Sequence, residues 1–152
     1  MRLPSPVIER VLEAWPVARL ATVGPDGPHA VPIVFARAGG CLWSPIDGKP
    51  KRGGELARVA NLRADPRATL LLDRWDEDWT RLWWLRVDVE GLVVCPADPV
   101  ADVRVAGAER ALLAKYPQYE DVPLLGEPPT LLRFTPRRVT SWAAGPEAVP
   151  SL

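Results

Sequence analysis

The sequence carries one histidine, two cysteines and one methionine in 152 residues, and its 19 basic side chains are matched by 19 acidic ones. One histidine, His29, and two distant cysteines, Cys41 and Cys95, leave no spacing that suits zinc. A serine triad would have to recruit His29, and Ser44 stands outside any nucleophile-elbow pattern. Zero formal net charge removes any general attraction to nucleic acid or to an anionic membrane. No apolar run approaches the roughly 20 residues that span a bilayer. Met1-Arg2-Leu3-Pro4 leads into a segment broken by Glu9, Arg10 and Glu13, not into a secretory leader. The acidic cluster Asp73, Asp76, Glu77 and Asp78 lacks the order of a calcium loop and reads as a solvated connection. Cys41 and Cys95 lie in apolar, strand-like contexts and read as reduced core residues of a cytoplasmic protein, with a disulfide between them left open by sequence.

What is present is ordinary for a globular chain: 47% hydrophobic and 25% charged residues, enough for one domain over residues 1–152 with a real core. Eighteen prolines imply many short elements. Ser5 and Pro6 predict a helix start, with the serine as cap. Val7, Ile8, Val11, Leu12 and Trp15 share one helical face before Pro16 ends it. Residues 17–23 and 28–36 predict a hairpin around Gly24-Pro25-Asp26-Gly27. With 41–44 added after Gly39-Gly40, three strands predict an antiparallel meander. Residues 55–63 predict a helix burying Leu56, Val59 and Leu62. Residues 67–73 predict a strand covered on both faces, and 81–89 and 91–95 two more, with a bulge or bend at Glu90-Gly91. Asp98-Pro99 opens a second helix that uses Val103, Ala106, Leu112 and Leu113, residues 117–129 read as loop, and 130–135 and 137–143 end the sheet with a break at Pro136. Mostly antiparallel strands with crossing helices exclude a parallel nucleotide-binding sheet; a small closed or split β-barrel with peripheral helices fits.

The stretch from Asp47 to Arg58 concentrates chemistry. Lys49, Lys51, Arg52 and Arg58 are opposed nearby only by Asp47 and Glu55, and Gly53-Gly54 stand just before a helix whose first N–H groups lack partners. This suits a phosphate or another anion, and equally describes a solvated basic loop. His29, at a strand start, reads first as a hydrogen-bonding residue. With no general acid–base or covalent machinery in sight, such an anion site suits a planar cofactor that brings its own chemistry. Trp75, Trp79, Trp83 and Trp84 are too concentrated for all to be buried in one monomer and suggest a dimer face.

The chain resembles the pyridoxamine 5′-phosphate oxidase-like split β-barrel flavoproteins, and more narrowly their deazaflavin (coenzyme F420)-dependent branch. The resemblance is carried over residues 5–143 by Arg19-Leu20-Ala21-Thr22-Val23, Asp26-Gly27-Pro28-His29, Val31-Pro32-Ile33 and Asp47-Gly48-Lys49-Pro50-Lys51. It continues through Arg58-Val59-Ala60-Asn61-Leu62, Asp65-Pro66-Arg67-Ala68-Thr69-Leu70-Leu71-Leu72-Asp73, Asp78-Trp79 and Leu82-Trp83-Trp84-Leu85-Arg86. It implies a mostly β, α+β fold of the FMN-binding split-barrel type and a homodimer with two cofactors at the subunit interface. It implies Lys49, Lys51, Arg52 and Arg58 as phosphate anchors and Pro32, Val34, Ser44 and Ile46 as ring-lining residues, with Asn61 a lesser candidate. The arginine-led motif of vitamin B6 oxidases on the second strand and their basic C-terminal segment are missing, which argues against vitamin B6 oxidation. The resemblance therefore implies an F420-dependent oxidoreductase that delivers hydride to a small electrophilic acceptor, without nucleic-acid or membrane partners. The alternatives are an FMN-binding reductase or oxidase of the same fold and a non-catalytic flavin- or deazaflavin-binding protein.

Overall fold

Two residues, Val34 and Phe35, decide how the sheet closes. The computed structural model describes residues 1–48 and 53–151, and in it seven strands run β1 (Ala18–Gly24), β2 (Gly27–Ile33), β3 (Ala36–Ala38), β4 (Cys41–Pro45), β5 (Arg67–Arg74), β6 (Trp83–Val94) and β7 (Leu131–Ala143). Their order in the sheet is β2-β1-β5-β6-β7-β4-β3, antiparallel at every step. β2 and β3 thus form opposite edges, yet only residues 34 and 35 separate them in the chain. The sheet must curl until its edges meet, and the barrel is split along that line. The expected three-strand meander is corrected here. β4 pairs with β7 rather than β2, because the chain crosses the split before making the β3–β4 hairpin.

Alternation sets what fills the barrel. In β1 Ala18, Leu20 and Thr22 are buried while Arg19 and Val23 are exposed. The same rhythm in β5 and β6 puts Leu70, Leu72, Leu85, Val87 and Val89 inside, against Leu132 and Phe134 of β7. β6 is one continuous strand through Glu90-Gly91, so the predicted bend there is absent. The irregularity lies opposite, where Asp88 pairs with Arg138 and Val89 with Pro136, leaving Arg137 as the extra residue. A proline cannot donate to a ladder, and the bulge accommodates Pro136 without ending β7. Gly91 serves close packing instead: a Cβ there would lie 2.7 Å from Leu62 Cδ2 and 3.2 Å from Phe134 Cε1.

Three helices flank the barrel. α1 (Ser5–Ala14) buries Val7, Val11 and Leu12, as its spacing predicts. Its cap is Pro4 rather than Ser5; the Pro4 carbonyl accepts from Val7 at 2.9 Å and Ile8 at 3.0 Å. α2 (Ala57–Ala64) buries Val59 and Leu62. α3 (Val103–Lys115) begins later than predicted. Asp98 first makes its own turn, accepting from the Val100 and Ala101 N–H groups, and Asp102 then caps the helix by accepting from Arg104. The delayed start rotates the apolar face to Val105, Ala108 and Leu112, while Val103 and Leu113 point outward. With Ala36, Trp43, Tyr116 and Leu131 they form a second apolar cluster outside the barrel. Cys41 and Cys95 are free thiols, Cys95 exposed. Among the described residues no helix is long and apolar enough to cross a membrane.

Candidate functional site

The split in the barrel is where the predicted residues converge. Past the short β3–β4 pairing, the ends of β2 and β4 form a cleft of about 190 Å³ lined by Val17, Pro32, Val34, Ser44, Asp47 and Arg58 among others. Four predicted site residues, Pro32, Val34, Ser44 and Arg58, are therefore brought together. Arg58 reaches it from the first turn of α2. Gly53 and Gly54 lead into that helix with φ of 54° and 68°, the left-handed region in which a side chain would be strained. Leu56 occupies the cap position and offers no side-chain acceptor to the first N–H groups.

Arg58 is the electrostatic centre of the cleft. Burial lowers its pKa, and the charge of Asp47 works the other way. Its Nε is buried without a hydrogen-bond partner among the described residues. A buried guanidinium donor left unmatched is costly, and an acceptor oxygen placed in the cleft would relieve that cost. The loop that carries Asp47 is pinned from the 123–130 segment: Ile46 donates to Thr130 O at 3.0 Å, and Ile46 O accepts from Gly126 at 2.9 Å. Gly48 donates to Pro123 O at 3.0 Å. Residues 117–129, expected to be loop with no part in the site, hold four prolines and no periodicity, so nothing in the residue order signals this anchoring.

The remaining predicted residues fall elsewhere. Lys49, Lys51 and Arg52 lie outside the described residues. Ile46 opens onto a larger neighbouring cavity of about 460 Å³, which shares Asp47 with the cleft. The arginine of that cavity, Arg63, donates its Nε to Glu55 at 2.9 Å, whereas the Nε of Arg58 has no hydrogen-bond partner among the described residues. Asn61 is buried away from the cleft; its Nδ2 donates to Thr22 Oγ1 at 3.0 Å, and it packs where a Cβ on Gly24 would collide with it. His29 stands opposite Thr22 in the β1–β2 ladder and lines none of these cavities. Its predicted hydrogen bond is missing at Nδ1, which is buried without a partner among the described residues.

A second cation, Lys115, is partly buried at the end of α3. The Lys115 ammonium sits 3.8 Å above the Phe35 ring and 5.6 Å from that of Tyr116. Burial pushes its pKa down to about 8, with Glu13 opposing. Between pH 8 and the usual 10.5 the unfolded chain therefore binds more protons at this position than the folded one. Stability accordingly rises with pH across that window, and below it the cost of burying the charge is fully present. Lys115→Met is expected to flatten the rise, measured as the difference in urea midpoint between the two proteins at pH 7.5, 9 and 10. Parallel profiles would show that Lys115 does not titrate in that window.

In sequence, no curated protein is significantly similar to this chain. Solved structures share its fold. A FAD-binding protein of Mesorhizobium loti is 20% identical, with TM-score 0.65 and 93% of each chain covered. HutZ, the heme storage protein of Vibrio cholerae, is 17% identical, with TM-score 0.68, covering 94% of this chain and 95% of that one. An F420 reductase is 22% identical, with TM-score 0.54, covering 86% and 94%. Identities this low speak for the fold alone. The family is shown by sequence: the model of the pyridoxamine 5′-phosphate oxidase family matches residues 5–143, which spans the split barrel and its cleft, and the chain belongs to that family.

Proposed function

We propose that the protein is a cytoplasmic, homodimeric oxidoreductase that binds coenzyme F420 and passes hydride from its reduced form to a small electrophilic organic acceptor. The observation that carries this reading is the unmatched Arg58 donor in a cleft walled by Pro32, Val34 and Ser44. The residues fit the anionic end of such a cofactor. Arg58, the start of α2 without a side-chain cap and the basic run Lys49, Lys51 and Arg52 would hold it, with the ring against Pro32, Val34 and Ser44 and extending toward the neighbouring cavity that Ile46 lines. When bound, the deazaflavin supplies a two-electron hydride donor; the protein supplies distance, angle and exclusion of water. The F420 reductase of the same fold is in keeping with this.

FMN is the second reading, and a FAD-binding protein of the same fold is in keeping with a flavin. The length of the basic track separates the two. FMN ends in one phosphate, for which one or two cations suffice, whereas the deazaflavin continues past its phosphodiester into a carboxylate-rich tail. Fluorescence titration with both cofactors is expected to give tighter binding of F420, by a margin that narrows as salt rises. Equal or tighter binding of FMN would replace the first reading with the second.

The homodimer rests on two features. The cleft, about 190 Å³, lies below the roughly 300–1,000 Å³ usual for ligand pockets, so a tricyclic ring needs a further wall. Trp75 and Trp79 are 72% and 70% exposed, and Trp84 and Trp142 pair across β6 and β7 on the outer face of the sheet near Leu71. Light scattering at micromolar concentration is expected to report a dimer, with Trp75 and Trp79 shielded from iodide. A monomer with freely quenched tryptophans contradicts it.

A further inference from the structure

Val34 and Phe35 fall between the β1–β2 ladder, which ends at Ile33, and the β3–β4 ladder, which begins at Ala36. Neither ladder fixes them, yet Val34 lines the Arg58 cleft and Phe35 is fully buried in the barrel core. The backbone of Phe35 is held from outside the sheet. Its N–H donates to the Tyr116 hydroxyl at 3.0 Å, and the hydroxyl shares its own hydrogen between the carbonyls of Phe35 at 2.8 Å and Pro16 at 2.9 Å. Pro16 in turn precedes Val17, a second wall of the cleft.

One oxygen thus ties the end of α3 to two segments that lie 81 and 100 positions away in the chain. Tyr116 is the residue that closes α3, with extended φ and ψ of −124° and 91°, and it is 7% exposed. Burial pushes its pKa up, against the hydrogen bond from Phe35, so at neutral pH the phenol keeps the proton it needs to accept and donate at once. Its neighbour Lys115 holds the face of the Phe35 ring. The crossover is therefore gripped at its backbone and at its side chain by consecutive residues.

We propose that Tyr116 is a positioning residue of the Arg58 cleft: through Phe35 and Pro16 its hydroxyl fixes where Val34 and Val17 stand, and so how the cofactor ring seats. The seating of the ring rests on the cofactor reading above; the fixing of the two walls does not. A ring of the same shape without the hydroxyl deprives a buried N–H of its acceptor and two carbonyls of their shared donor. The crossover and the 16–17 link then shift to recover partners, and both walls shift with them.

The test compares Tyr116→Phe with Val105→Ala, which trims a buried side chain of the same helix that lines no part of the cleft. Methyl NMR of Val17 and Val34 reads the walls without cofactor. Tyr116→Phe is expected to shift or broaden both sets of signals, and Val105→Ala to leave them in place. Titration with F420 and FMN then reads the ring. Tyr116→Phe should weaken whichever cofactor the wild type binds by about 3–30-fold, and Val105→Ala by less than about twofold. Tyr116→His, which retains a donor, is read in its place if Tyr116→Phe does not fold. Unchanged methyl signals on loss of the hydroxyl, or equal changes in Val105→Ala, overturn the proposal. Walls that move while affinity holds overturn the step from wall to ring. A wild type that binds neither cofactor defeats the cofactor reading, and the methyl signals still decide the role of the hydroxyl.

Discussion

Replacing Arg58 by alanine is expected to weaken cofactor binding roughly 10–100-fold without loss of folded protein. The magnitude is that of a charge-assisted hydrogen bond in a partly desolvated site, about 1.5–3 kcal/mol, at about 1.4 kcal/mol for each tenfold change. Stability should move the other way or stay level. The guanidinium pays a burial cost, seen in its lowered pKa, and its Nε has no partner among the described residues to lose. Affinity that falls while the melting temperature holds or rises is the signature of a group kept for a ligand rather than for the fold. Lys51→Ala should also weaken binding, in a salt-dependent way. Fluorescence titration at two salt concentrations, with thermal unfolding of the same samples, measures both effects. An Arg58→Ala affinity within twofold of wild type would remove the cleft from the cofactor site.

Trp83→Ala should destabilise the protein by about 3–5 kcal/mol, whereas Trp75→Ala and Trp79→Ala should each stay within about 0.5 kcal/mol for the monomer. The four clustered tryptophans look alike in sequence, yet Trp83 is 1% exposed and lies edge-on to Trp15, with centroids 4.7 Å apart and planes at 73°. Its removal opens a cavity where α1 meets the barrel, and it also takes away an aromatic pair. Trp75 and Trp79 stand on the connection between β5 and β6 and bury little. Urea unfolding of the three variants decides the matter. A loss below about 1.5 kcal/mol for Trp83→Ala would mean that the site collapses around the gap.

Local patterns made much of the chain readable before any coordinates. The 2.0 period of residues 17–23 and 81–89 and the 3.6 period of the first helix arise from burial of one face, so they register directly in the residue order. The crowding of glycines and cations before α2 is legible in the same way, and Arg58 of that stretch lines the cleft. The start of α3 is not legible at Asp98, since Asp98 and Asp102 each cap a turn and the helix that packs against Ala36 and Trp43 begins at the second.

By itself, then, the sequence determined where most strands and helices lie and the run of cations up to Arg58, all of which depend on neighbours within a few residues. Only the tertiary structure decided that β2 and β3 become opposite edges of one curled sheet, and that Glu90-Gly91 continues a strand. It alone decided that Tyr116 and Tyr119 stand beside Val34. The reason is distance along the chain. The Phe35 N–H meets the Tyr116 hydroxyl across 81 positions, and a contact of that span leaves no period, cap or turn in the residues between.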